Sequence, residues 1–144
     1  ICEDLPEKHN SVELDHKIKD SNGMPGIKIN YKLSENSKKM LSHGISKAKE
    51  LMKKAGAKSI VGFGPVRHTG WHLMGTTKMG VSKKNSVVNE FGQTHDIKNL
   101  VIADSSVFVT SGGVNPVSTL QAISLRITNE IKNYPKKYFR NYKE

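Results

Sequence analysis

The 144-residue sequence predicts an α+β or α/β fragment, and three observations carry that expectation. Residues 27–31 alternate apolar and polar side chains with a period of two, as residues 11–15 do more briefly; this is the pattern of strands with one buried face. Residues 35–55 repeat Leu41, Ile45, Ala48, Leu51, Met52 and Ala55 at three- and four-residue spacing, with lysines opposite, as an amphipathic helix does. Leu100, Val101, Ile102 and Ala103 form an apolar run ending in Asp104, and a second stripe of Val117, Leu120, Ile123, Ile127 and Ile131 comes after it. That order reads as a buried strand of a parallel sheet and then a helix.

Local signals delimit these elements. Asp20-Ser21-Asn22-Gly23 is a turn, so the two strands are expected to pair as an antiparallel hairpin with a long connection. Ser34 suits an N-cap, Glu35 suits the positive end of the helix dipole, and Gly56 stands where a C′ glycine belongs. Asn115 and Pro116 are expected as N-cap and first helical residue of the last helix. Residues 110–114 before them are a small-residue loop, and such a loop running into a helix N-terminus presents N–H groups to an electron-rich ligand group. Between the two halves, residues 61–80 hold five glycines, which argues against an ordinary helix and for turns or close backbone approach. Val87-Val88 reads as a short strand before the turn at 90–93.

Composition narrows the function classes. With 35% hydrophobic residues the chain can bury only a thin core, and no apolar run approaches the ~20 residues of a membrane span. The net charge is +10, yet 20 of the 23 basic residues are lysines, scattered among 11 asparagines. Nucleic-acid readers lean on arginine, so this charge reads as solvated faces and argues against nucleic acid as a partner. The tail at 132–144 is the exception, interleaving aromatics with five positive charges. It suits a docking extension better than a strand-binding surface, but a small basic module binding nucleic acid or an acidic partner stays the alternative class. Residues 1–6 carry neither a Met nor a secretory signal, so the sequence is expected to be part of a longer chain, with a cytoplasmic location favoured and the compartment open. A single Cys2 excludes an internal disulfide and a multi-cysteine metal site.

The histidines allow three chemistries. His68 and His72 stand four apart, a zinc spacing on a helix, but the glycines oppose a helix and no His-Glu-x-x-His pattern is present. A nucleophilic triad would need an activated serine or cysteine, and there is no Gly-x-Ser-x-Gly elbow. The third use is a general base beside a bound cofactor; taken alone, a histidine in a glycine loop reads first as structural.

Three blocks together go further: His72-Leu73-Met74-Gly75-Thr76 running to Met79-Gly80; Ser86-Val87-Val88-Asn89 with His95 through Asp104-Ser105-Ser106; and Ser111-Gly112-Gly113-Val114-Asn115-Pro116-Val117 running to Arg126. In their order and spacing they resemble the C-terminal signature of the glucose–methanol–choline (GMC) flavin oxidoreductases, and residues 3–58 resemble the part that precedes it.

The resemblance implies a division into residues 1–66, part of a substrate-binding domain with an antiparallel sheet; residues 67–131, the signature segment with the closing strand and helix of a Rossmann-like FAD-binding domain; and a basic tail at 132–144. It implies FAD as cofactor and oxidation of a CH–OH donor to a carbonyl, with hydride passing to flavin N5. His72 would be the catalytic base and Asn115 the second active-site residue, an amide that can hydrogen-bond but cannot act as a base. An imidazole suits that task because its ordinary pKa of about 6.5 lies near working pH. Asp104, Ser105, Asn115, Pro116 and Val117 would contact the cofactor, with Ser105 departing from the smaller residue usual there. No metal is implied. The partners would be a small-molecule alcohol, an FAD-binding region N-terminal to this segment, and an electron acceptor left open, as are the particular alcohol, the oligomeric state and the choice between oxidase and dehydrogenase. The dinucleotide fingerprint Gly-x-Gly-x-x-Gly does not occur, so this chain alone is expected neither to hold FAD tightly nor to turn over. A non-catalytic remnant of the family is a further reading.

Overall fold

The structure, a computed structural model, describes residues 1–66, 69–112 and 114–139. It is a small α+β arrangement in two compact units, Ile1–Gly70 and Trp71–Glu144.

The first unit opens with strand β1 (Ser11–Lys19) paired antiparallel to β2 (Pro25–Asn30). Val12 stands opposite Ile29 and Leu14 opposite Ile27, and the register shifts between Asp15 and Lys19. β1 runs past its alternating stretch, so the connection is shorter than expected. The Asp20 carboxylate closes it, accepting from the Asn22 N–H at 2.8 Å and the Met24 N–H at 2.9 Å. Helix α1 (Glu35–Lys54) starts as expected, with the Ser34 hydroxyl accepting from the Ser37 N–H at 3.0 Å. At its end the Ala55 N–H reaches the Leu51 carbonyl, and Gly56 comes next in the left-handed region at φ +88°. Leu41 and Ile45 lie against the backbone of Gly64. The Tyr31 hydroxyl donates to the Asp4 carboxylate, which ties the N-terminal stretch to the end of β2. Burial, and then this bond to Asp4, push the Tyr31 phenol up to about 12.

One expectation fails in this unit. The alternation in β1 and β2 predicts a buried apolar face, yet Val12, Leu14, Ile27 and Ile29 are all more than half exposed. They pair with one another across the ribbon, but among the described residues nothing covers them. A two-stranded ribbon has no second layer of its own.

The second unit is built from loops stitched by backbone hydrogen bonds rather than from a sheet. Val88 bridges Met79 in parallel and Thr94 antiparallel, and Gln93 bridges Val101 antiparallel. Under these crossings lies the core of Val88, Val107 and Ile127, each fully buried, with Gln93 and Thr94 also buried. The Gln93 side chain donates to the Lys98 carbonyl at 2.7 Å, and the Thr94 hydroxyl accepts the Ile97 N–H at 3.1 Å, so these two buried side chains are paired. Helix α2 (Val117–Asn133) lays Ile127 into this core, and the short helix α3 (Pro135–Tyr138) buries Tyr138.

Two further expectations are corrected. Residues 100–103 form a single antiparallel bridge instead of a parallel strand, because the neighbour they meet is the returning 92–94 turn. Leu100 is 45% exposed, so the run is not wholly interior. At α2 the N-cap is Pro116, not Asn115, and no side chain caps the helix. Pro116 still offers its carbonyl, which accepts the Leu120 N–H at 2.9 Å.

Gly92 is where this unit tolerates least. Its φ is +69°, and a Cβ there would stand 2.3 Å from the Ile102 carbonyl oxygen and 2.8 Å from Ile127 Cδ1. The oxygen is backbone and cannot swing aside, because the same contact carries the Ile102 N–H to Gly92 carbonyl bond at 2.8 Å. Gly92→Ala is therefore expected to cost about 3 kcal/mol from left-handed strain and displaced packing. Urea unfolding of the intact protein checks it, and an unchanged midpoint would contradict this placement.

Candidate active site

His72 opens the second unit in an irregular stretch and is itself half-buried, between the exposed side chains of Trp71 and Leu73. The segment after it, residues 73–79, is fixed by another loop. The 3-10 turn Ser105–Val107 begins at Asp104, whose carboxylate accepts the Ser106 N–H at 2.8 Å. The Gly75 N–H donates to the Ser105 carbonyl at 3.2 Å, the Thr77 N–H to the Ser106 carbonyl at 2.9 Å, and the Met79 N–H to the Val107 carbonyl at 2.9 Å. The Ser105 hydroxyl adds a bond of 2.8 Å to the Leu73 carbonyl. Alternate N–H groups of one segment thus meet successive carbonyls of the other. Gly75 makes the bend at φ +84°, with the Phe108 carbonyl 3.3 Å from where a Cβ would be.

Asp104 is held in its charged form. The Ser106 side chain and then the Ser106 N–H bond its carboxylate and lower its pKa below the usual range, against a smaller opposing effect of burial. The Ser106 hydroxyl also meets the Thr77 hydroxyl. That contact joins the two segments by their side chains as well as by their backbones.

The structure joins His72's block directly to Ser105 and Ser106, and to Asp104 only through Ser106. The Ser124 hydroxyl, two turns into α2, donates to the Ala103 carbonyl at 2.6 Å, just before Asp104, and ties the middle of that helix beside the turn; Asn115, Pro116 and Val117 stand at the helix start, about 10 Å of helix rise from Ser124. With Pro116 as N-cap, the Asn115 amide is not spent on capping, and the N–H groups of Val117, Ser118 and Thr119 have no acceptor within the helix. The exposed side chains of Val114 and Val117 flank them. His68, the other half of the zinc spacing, and Gly113 of the loop lie outside the described residues.

Sequence reasoning missed Thr77 and Ser106. The adjacent hydroxyls after Asp104 were a readable sign of an Asp-capped turn, but their partner lies 29 residues away. It also left the tail's role open. The Phe91 ring has the Arg126 guanidinium 4.8 Å from its centroid and the Lys137 ammonium 4.9 Å from it, and Lys137 pairs with Glu130 at 2.9 Å. Lys137 and the buried Tyr138 are thereby committed to packing, while residues 140–144 lie outside the described part.

The family profile described as GMC oxidoreductase matches residues 6–124. The chain is 40% identical over 125 residues to 2-methyl-1,2-propanediol dehydrogenase of Mycolicibacterium austroafricanum, covering 86% of this chain and 23% of that protein. It is 32% identical over 139 residues to 6'''-hydroxyparomomycin C oxidase of Streptomyces lividus, covering 93% and 24%. It is 31% identical over 129 residues to the fructose dehydrogenase large subunit of Gluconobacter japonicus, covering 90% and 24%. The chain thus spans about a quarter of the length of these relatives.

The Asp104 carboxyl supplies a prediction. A carboxyl whose pKa is lowered by folding stabilises the fold above its unfolded value of about 4, and that contribution is lost as pH falls through the lower folded value. Its carboxyl carbon resonance should therefore titrate below that of a reference aspartate. Ser106→Ala should move the transition upward, while the remaining N–H bond keeps it short of the reference. Titration of Asp104 at the reference pH would contradict the assigned bonds.

Proposed function

The chain belongs to the GMC oxidoreductase family, and from that premise we propose that it forms the C-terminal part of an FAD-dependent enzyme that oxidises a CH–OH group to a carbonyl. The reading is supported by one observation: the segment after His72 is bonded to the Asp104–Ser106 turn through Gly75, Thr77 and Leu73, and the middle of α2 is tied beside that turn through Ser124. The relatives are named for 2-methyl-1,2-propanediol, 6'''-hydroxyparomomycin C and fructose, which supports a hydroxylated molecule as the substrate class.

The residues present fit a flavin in one respect. The first turn of α2 carries no side-chain cap, so its N–H groups and dipole are free to face an electron-rich carbonyl edge, with Val114 and Val117 as apolar flanks. Asn115, Pro116 and Val117 would hold that edge, and Asp104 and Ser105 would contribute the neighbouring turn. FAD, when bound, supplies the two-electron acceptor that takes hydride from the carbinol carbon.

The work of this chain's residues is proton and charge management. A neutral His72 imidazole takes the hydroxyl proton of the alcohol on its unprotonated nitrogen, which raises electron density on the carbinol oxygen as the C–H bond weakens. The Asn115 amide donates a hydrogen bond toward the developing alkoxide or the cofactor edge and, being non-basic at neutral pH, leaves His72 as the base. The oriented N–H groups of α2 favour negative charge that grows during the reaction more than the resting state.

The full-length protein tests this with 2-methyl-1,2-propanediol and fructose as trial substrates. His72→Ala should slow flavin reduction by about 10²–10⁴-fold, the usual worth of general base catalysis, with bound flavin retained. Near-normal reduction would contradict the base assignment. Asn115→Asp should also slow reduction, by placing negative charge beside the edge that gains it; an unchanged rate would remove Asn115 from the site.

A further inference from the structure

Nothing in the side chains beside His72 fixes its position. Trp71 is 81% exposed and Leu73 is 78% exposed, so neither neighbour anchors the backbone by packing. The anchoring comes from the 105–107 turn, and three of its five bonds are backbone to backbone: Gly75 to Ser105, Thr77 to Ser106 and Met79 to Val107. Those three would form with any side chain at 105. The other two depend on side chains, the Thr77 and Ser106 hydroxyls meeting five residues past His72. The one nearest to the histidine is the bond of the Ser105 hydroxyl, which donates to the carbonyl of Leu73, the very next residue, at 2.8 Å.

We propose that Ser105 is a positioning residue for His72, fixing the histidine's backbone through the Leu73 carbonyl; the inference rests on the reading of His72 as the base. Ser105 grips the segment at two points, by its hydroxyl at Leu73 and by its carbonyl at Gly75. Together they set the direction in which the chain leaves His72. Without the hydroxyl, water can satisfy a carbonyl that is not deeply buried, so folding changes little. The freedom lost is regained at residues 72 and 73, and misplacement of a reacting group lowers rate steeply.

The test compares Ser105→Ala, Ser105→Thr and His72→Ala in the full-length protein. Ser105→Ala should lower kcat roughly tenfold, the worth of one hydrogen bond, with KM within about twofold. Ser105→Thr, which keeps the hydroxyl, should recover most of that loss. In flavin-free protein labelled with ¹⁵N-histidine, the His72 ring resonances should shift and broaden in Ser105→Ala and return in Ser105→Thr. Where Ser105→Ala does not fold, Ser105→Cys keeps the volume, weakens the donor and should show the same losses. A kcat within about twofold of the parent together with unchanged ring resonances overturns the proposal, and so does a loss that Ser105→Thr leaves unrepaired. If His72→Ala itself keeps near-normal turnover, the base assignment is what has failed, and the ring resonances alone then decide whether Ser105 positions the histidine.

Discussion

The second unit depends on one constraint: loop backbone that no sheet ladder serves must still find partners for its N–H and C=O groups. It finds them in another loop. The N–H groups of Gly75, Thr77 and Met79 meet the carbonyls of Ser105, Ser106 and Val107, and Val107 is driven fully inside by that stitching. The turn can serve as a template because Asp104 accepts the Ser106 N–H and is itself kept ionised by Ser106. His72 lies at the upstream end of this seam, and the middle of α2 is tied beside the same turn through Ser124. Two distant stretches of sequence are thereby delivered to one place without a regular sheet between them.

Elements with local causes were legible in the sequence. The Ser34 cap, the apolar spacing from Leu41 to Met52 and the glycine at 56 each act within a few residues, and α1 begins and ends where they say. The Asp20 turn is equally local, with its carboxylate holding two N–H groups of its own loop. What failed depended on partners far along the chain. Residues 100–103 have the composition of an interior strand, but ladder partners decide whether a run becomes a strand, and here the partner is a turn. The apolar alternation of β1 and β2 states what environment those side chains suit, not that this chain supplies it; Ile27 stands 74% exposed.

The site was legible in a different way. His72, Asn115 and Asp104 stood out through blocks of sequence resembling one family, and the match to GMC oxidoreductases over residues 6–124 supports that reading of the chain as a whole. Asn115 was misjudged in its local role for a physical reason. Asn-Pro is a strong helix start, and when Pro116 itself takes the N-cap the asparagine is displaced one step out, where its amide is not used on the helix. The pairing of Thr77 with Ser106 was invisible because a hydroxyl contact across 29 residues leaves no spacing to read.

The central claim is that the histidine and the asparagine serve one reaction centre. The direct measurement is a crystal structure of the full-length protein with FAD and an unreactive analogue of a small diol bound. The account predicts that the His72 imidazole and the Asn115 amide both lie within hydrogen-bond reach, about 2.6–3.2 Å, of the analogue's hydroxyl oxygen or the adjoining flavin edge. Finding the two side chains on opposite sides of the protein, or the analogue bound away from both, would contradict it.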